Sequence, residues 1–358
     1  MSSAVTHSLS KARILASHEE QGWENFVKSH PAANLYHSLL WRDVIEKIFH
    51  HRPIYLIAEG QQGVTGILPM FLVKMPVLGS KLISLPYDIG SGGPLANDES
   101  SELVLTQRAI ELAKEFQVQY LQLRCGTPMA SIENLGFQVD EPVLISEMEL
   151  SGEEEVLAGF SKDHRKAIRK AETRGVQIRT AHSLEDFENF YQVYLVVFRD
   201  FGTPPYGGDY FPVLHERLAS TGAVRLLLAE VDGRCIGGLL LFCWGKNLVS
   251  KFAACLPQFV DKRAYPLLYW RAIQLGMELG CRRLSWGTSS RDQTGLIAFK
   301  EGWGSKTHPA LVYSLPIQSQ MPSLAKYYDS DGFERRVWKK LPIGVTSVIG
   351  ELLNRWFC

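Results

Sequence analysis

Lys300 is the residue of this chain whose setting most suggests chemistry. It stands in Gly295-Leu-Ile-Ala-Phe-Lys-Glu-Gly-Trp-Gly304, between an apolar turn and a tryptophan flanked by glycines. Such a lysine is a partly sheltered ammonium, and the plainer reading of the same residues is a surface lysine at a helix end. A second group is cationic. Between Lys162 and Arg179 lie Lys162, Arg165, Lys166, Arg169, Lys170, Arg174 and Arg179, against only Asp163 and Glu172. On a helix at 161–175 the first five share about half the circumference, while Ile168 and Ala171 turn inward. Arg165 and Arg169 suit phosphate, which a guanidinium binds with two parallel N–H donors. A pyrophosphate, a lipid headgroup or an RNA acceptor stem fits that chemistry, and so does a solvated helix that merely joins two lobes. Arg199-Asp-Phe-Gly-Thr-Pro-Pro-Tyr206 supplies a third group, because Gly-Thr-Pro-Pro fixes a rigid loop. On such a loop Arg199 and Tyr206 would sit at a lobe interface.

These side chains need elements to hold them. Pro266 suits the first turn of a helix. From there to Leu279 only Arg271, Gln274 and Glu278 are polar, so most of the circumference is buried. Gly280 stops that helix. Arg283 to Trp286 reads as a short strand, with Trp286 as a wall, and a polar loop from Thr288 to Thr294 leads to Phe299-Lys300. Upstream, Leu184 to Phe198 is a helix that ends at the rigid loop.

The order of elements occurs twice. Ile54 to Glu59 and Val64 to Val73 form a hairpin, followed by a strand at 82–86, a glycine-rich turn with Gly90, Gly92 and Gly93, a helix at 102–116 and a strand at 120–124. Val224 to Glu230 and Cys235 to Trp244 form a second hairpin, followed by a strand at 248–255, the helix at 266–279 and the strand at 283–286. YLIAEGQQGVTGILPMFLV and RLLLAEVDGRCIGGLLLFC share Ala-Glu before the turn and a glycine after it. The repeat implies two lobes of one ancestry rather than a solenoid. The expected divisions are 1–150, 151–316 with the basic helix, and a tail at 317–358. Each lobe has the strand and helix order of an acyltransferase fold with a splayed mixed sheet, although fold alone does not fix function.

Composition sets outer limits. With 358 residues, two domains are the natural expectation. Lys plus Arg and Asp plus Glu each number 38, so no global field recruits DNA or another nucleic acid. Six cysteines form no C-x-x-C pair, and several sit in apolar runs as buried thiols do. No metal set, phosphate loop or G-x-S-x-G elbow occurs. The N-terminus lacks a secretory apolar core and no run is long enough to span a bilayer, which points to a cytoplasmic protein.

HRKAIRKAETRGV, RDFGTPPYGGDYF and the run from Tyr265 to Tyr313 together resemble the FemAB-type branch of the GNAT acyltransferase superfamily. The similarity is greatest to FemAB-like proteins that accompany exopolysaccharide and protein-sorting (PEP-CTERM) systems. It implies an α/β (α+β) fold of tandem GNAT-like lobes, each a mixed, mainly antiparallel splayed sheet flanked by helices, plus a helical tail. It also implies transfer of an acyl or aminoacyl group to an amine, without a covalent enzyme intermediate. By the same resemblance the Phe299-Lys300 step faces the donor end, making Lys300 and then Tyr206 the candidate catalytic groups. Arg165, Arg169, Arg199, Thr203, Phe299 and Trp286 would bind substrate. No cofactor is expected to be permanently bound, and the donor is an aminoacyl-tRNA or an acyl-CoA. The acceptor would be a small or lipid-linked glycan precursor of the envelope. Two departures bear on the donor: the long helical arm of the classical ligases is missing, and Pro257 to Pro266 lacks the glycines of a coenzyme A loop. A non-catalytic scaffold with the same fold is the reading from another class.

The tail differs in character. Arg335, Arg336, Lys339 and Lys340 surround Trp338, and Leu341 to Phe357 is largely apolar. It suits either an interfacial helix pair on an anionic membrane, at its inner face, or a helix packed back on a lobe.

Overall fold

The computed structural model describes residues 11–61, 63–76, 78–319 and 333–356. In chain order its strands and helices are β1 (Lys11–Ile14), α1 (Glu20–Ser29), α2 (Leu39–Phe49), β2 (Arg52–Gly60), β3 (Gly63–Met75), β4 (Gly79–Ile83), β5 (Leu95–Ala96), α3 (Glu99–Glu115), β6 (Tyr120–Cys125) and β7 (Gln138–Glu149). The second half continues with α4 (Glu153–Gly159), α5 (Lys162–Thr173), β8 (Gln177–Thr180), α6 (Leu184–Phe201), α7 (Tyr210–Leu214), β9 (Val224–Val231), β10 (Arg234–Trp244), β11 (Asn247–Cys255), α8 (Ala264–Glu278), β12 (Arg283–Ser289), α9 (Thr294–Glu301) and β13 (Lys306–Pro316). Helices α10 (Phe333–Trp338) and α11 (Ile343–Asn354) close the described chain.

One mixed sheet runs through both lobes in the order β1-β2-β3-β4-β6-β13-β7-β12-β11-β10-β9-β8, with β5 beside β3. The expected fold class holds. The repeat is visible down to single residues. In the first hairpin Ala58 faces Gly66 and Glu59 faces Val64, leaving Thr65 extra. In the second, Ala229 faces Gly237 and Glu230 faces Cys235, leaving Ile236 extra. Glycine follows the bulge in both for one reason: a Cβ at Gly66 would press on Leu105 and the Leu95 carbonyl, and one at Gly237 on Cys255 and the Ala254 carbonyl.

The last strand of each half joins the other half. β7 pairs antiparallel with β12, β13 pairs antiparallel with β6, and the two also pair with each other at the centre. The lobes are thus interleaved by exchanged strands. One hydrophobic cluster also spans both halves. Trp41 of α2 and Phe242 of β10 meet with ring centroids 5.3 Å apart. Burying one such aromatic contributes about 1.5–3 kcal/mol. α2 presents Trp41, Val44, Ile45 and Phe49 inward at helical spacing, and Ser38 Oγ caps it by accepting from the Trp41 amide at 3.3 Å.

Candidate functional site

β11 breaks its ladder at one place. Against β10, Leu240 faces Phe252 while Leu241 faces Ser250, so Lys251 is an extra residue. A bulge of this kind bends the strand and re-aims a side chain. Lys251 Nζ crosses the lobe boundary and donates to Asp88 Oδ2 at 2.9 Å and to Tyr87 O at 3.0 Å. The Tyr36 hydroxyl donates to the same carboxylate oxygen, and burial together with the Asp88 charge holds that phenol well above its usual pKa. The two charged side chains are only 8% and 16% exposed, so the pair is desolvated and depends on its hydrogen bonds.

Aromatic rings surround this pair. Tyr206 stacks on Tyr210 at 4.5 Å and stands edge-on to Tyr87 at 5.8 Å, with Phe252 at 5.5 Å. Tyr206 therefore lies at the lobe interface. Behind it His51 Nε2 meets the Tyr87 hydroxyl at 2.6 Å, and burial lowers the imidazole to about 4, which keeps it neutral near pH 7.

Where β11 ends, a cavity of about 330 Å³ opens. Its walls are the end of α6 (Val197, Phe201), the segment leading from β11 into α8 (Leu256, Phe259), and Phe299. Asp200 and Arg263 are its charged members. Arg263 enters α8 in the left-handed region, at φ 61°. α8 begins at Ala264, so Pro266 sits within its first turn.

Phe299 and Lys300 part company at this wall. Phe299 lines the cavity, whereas Lys300 is 3% exposed and points into β12. Its Nζ donates to Gly287 O at 3.0 Å, Thr288 O at 2.9 Å and Ser289 Oγ at 2.8 Å. All three ammonium donors are thereby engaged. Burial pulls its pKa down to about 8.

The other expected residues are dispersed. Arg199 binds its neighbour Asp200 at 2.7 Å, and the Thr203 amide donates to Phe198 O at 2.9 Å where α6 ends. Trp286 is buried against Tyr269 at 4.6 Å, and its indole N–H has no partner among the described residues. Arg165 and Arg169 are exposed on α5. α5 is nonetheless tied to the cavity wall: His164 Nε2 donates to Phe299 O at 2.9 Å, while Nδ1 accepts from Ser161 Oγ at 2.6 Å. Gly302 leaves room for that ring, which a Cβ would overlap. The glycine-rich turn is packed rather than open, since a Cβ at Gly90, Gly92 or Gly93 would overlap Ile145, Leu85 or Cys125 respectively. Lys251, Asp88 and His164 were not singled out from sequence. The available signals were one lysine inside Leu248-Val-Ser-Lys-Phe-Ala-Ala-Cys255 and a histidine at the head of the basic helix.

Residues 158–300 match the family model of the acetyltransferase (GNAT) domain, and that span holds α5, the β11 bulge, the cavity and Lys300. That match marks residues 158–300 as a GNAT acetyltransferase domain, a kind of domain that transfers acyl groups, within a chain of tandem GNAT-like lobes. Among solved structures it is similar to FemX, with 16% identity, a TM-score of 0.72, and coverage of 86% of this chain and 98% of that one. A tandem GNAT protein from the clavulanic acid biosynthesis pathway shares 13% identity at a TM-score of 0.53, over 88% of this chain and 99% of that one. The C-terminal domain of a protein described as a lysylphosphatidylglycerol synthetase, from Agrobacterium fabrum, shares 11% identity at a TM-score of 0.56, over 83% and 91%. At these identities the likeness is one of fold. No curated protein matches the chain.

Proposed function

We propose that the chain moves an activated acyl or aminoacyl group onto an amine of a cell-envelope or exopolysaccharide precursor. The observation that carries this reading is that one strand, β11, bears the inter-lobe bulge at Lys251 and ends at the apolar cavity. The acyl end of the donor lies in the cavity against Phe299, and the acceptor amine approaches from the lobe boundary past Tyr206. Backbone N–H at the bulge and the Lys251 ammonium stabilise the oxyanion that forms on the acyl carbonyl. The new C–N bond replaces the C–O bond of an aminoacyl ester or the C–S bond of a thioester, and the amine proton leaves with the departing group. Lys300 acts behind Phe299 as a positioning residue, holding the end of β12 in place. Arg165 and Arg169 offer acceptor phosphates a charged surface beside the cavity. The relatives' names support an envelope substrate, since lysylphosphatidylglycerol is an amino acid joined to a lipid.

The test is direct. The purified chain is supplied separately with acyl-CoA and with aminoacyl-tRNA, each with nucleotide-linked and lipid-linked amino-sugar acceptors, and products are weighed by mass spectrometry. One donor class should give an acceptor heavier by one acyl group, and Lys251→Ala should lose at least tenfold in rate. If neither donor labels any amine, the transfer reading fails and the scaffold reading takes its place.

A further inference from the structure

Helix α11 is packed with its small and polar face inward. Thr346 and Gly350 are buried, Ser347 Oγ meets the Tyr191 hydroxyl at 3.3 Å, and Asn354 Nδ2 donates to Pro205 O at 2.8 Å. A Cβ on Gly350 would overlap Pro205, so the helix sits directly on the rigid loop that carries Tyr206. The opposite face is apolar and open. Val345, Val348, Ile349 and Leu352 are 41%, 62%, 36% and 44% exposed. Their spacing of three and four residues makes one stripe. From Arg335 to Asn354 the chain holds four cations and one acid, Glu351, which pairs with Arg355 at 2.9 Å. Arg336, Lys339 and Lys340 are exposed and form no ion pair among the described residues.

We propose that this face docks on an anionic lipid bilayer, with the apolar stripe at the boundary of headgroups and acyl chains and the cations on lipid phosphates. The charge pattern favours a lipid surface over a second copy of the chain. A symmetric pair would bring the same cations together, and they would repel. α11 is too short to cross a bilayer, and no described helix is long and apolar enough to do so. Lying flat, it would set the loop of Tyr206 beside the membrane. Docking needs neither donor nor acceptor, so its test is independent of the proposed reaction.

The full chain is sedimented with vesicles of phosphatidylcholine alone or of phosphatidylcholine and phosphatidylglycerol in equal parts, at low and high salt. The wild type should pellet with the anionic vesicles, less so at high salt. Val348→Asp with Leu352→Asp should weaken binding at least tenfold. Lys339→Glu with Lys340→Glu should abolish the preference for phosphatidylglycerol, at about fivefold or more for each lysine. All four positions are exposed, so the melting temperature should hardly move. A wild type that stays in the supernatant with both vesicles overturns the proposal. So does a wild-type dimer that the Val348 and Leu352 changes dissociate while vesicle binding persists.

Discussion

In the first lobe β4 and β6 run parallel from Lys81↔Tyr120 to Ile83↔Gln122 and then part; in the second, β11 and β12 run parallel from Asn247↔Arg283 to Val249↔Ser285 and then part. Past the parting the lobes diverge. In the first lobe the chain after β4 folds back, and buried Arg124 ties it down, donating to Leu85 O at 3.0 Å and Asp88 O at 3.1 Å. In the second lobe the bulge turns Lys251 toward the first lobe, and β11 runs on to the cavity. Each lobe buries a cation on backbone carbonyls near its parted strands, Arg124 on the loop after β4 and Lys300 on the end of β12. Beside Lys300, the cavity against Phe299 keeps space open. On the proposed reading, one copy serves as the frame on which the other presents a site, and Asp88 is one of the residues through which the frame meets it.

The sharpest way to break this contrast is Arg124→Met. Losing the guanidinium strands two buried carbonyls and should cost about 4 kcal/mol of stability. Turnover per folded molecule should stay within twofold. Denaturant titration and activity measured per folded molecule check both, and lost turnover at unchanged stability would show that Arg124 also sets the position of Asp88 beside Lys251.

Proton linkage should separate the lobes next. His51 of the first lobe is lowered to about 4 by burial, against an ordinary 6.5. Between those values the unfolded chain holds a proton that the folded chain does not, so stability falls as pH drops from 6.5 to 4. Lys300 is lowered from 10.5 to about 8, so its contribution makes stability rise with pH across that alkaline window. Each shift corresponds to at most about 3–4 kcal/mol. Unfolding curves of His51→Gln should be flatter than wild type on the acid side only, and those of Lys300→Met on the alkaline side only.

The third effect concerns the pair that joins the lobes. Removing both charges with Lys251→Met and Asp88→Asn avoids leaving one of them alone in the interior, so the fold should survive. Transfer should nevertheless fall about a hundredfold, equivalent to about 2.7 kcal/mol of transition-state stabilisation. Full activity in this double variant would erase the distinction drawn between the two lobes.

Much of this arrangement was legible because it is local. The period of α2, the near-uniform apolarity of α8 and the paired Ala-Glu hairpins can all be read within single windows of sequence. β7 and β13 could not be read that way. Gln138-Val-Asp-Glu-Pro-Val-Leu-Ile-Ser-Glu-Met-Glu149 is only weakly patterned, and its partners lie in the opposite half of the chain. Lys300 was visible as a sheltered lysine, but its bonds to Gly287 and Thr288 depend on how α9 docks against β12. Lys251 was hidden because one extra residue against β10, and no local propensity, turns it across the lobes. In the tail, the apolar composition was plain, but which face α11 would pack could not be read without Pro205.

The smallest expected effect tests whether the open lobe must also move. Gly295 lies in the first turn of α9, has no positive φ, and would carry a Cβ with no atom within 4 Å. Gly295→Ala should therefore stabilise by about 0.5–1 kcal/mol through helix propensity alone, raising the melting temperature by a few degrees. α9 carries Phe299 on the cavity side and Lys300 on the β12 side, so a movement of the Phe299 wall during turnover passes through it. If α9 is a fixed wall, the variant is more stable and equally active. If turnover drops while stability rises, the wall has to loosen for substrate to enter or leave. The open lobe would then owe its function to mobility that the closed lobe has given up.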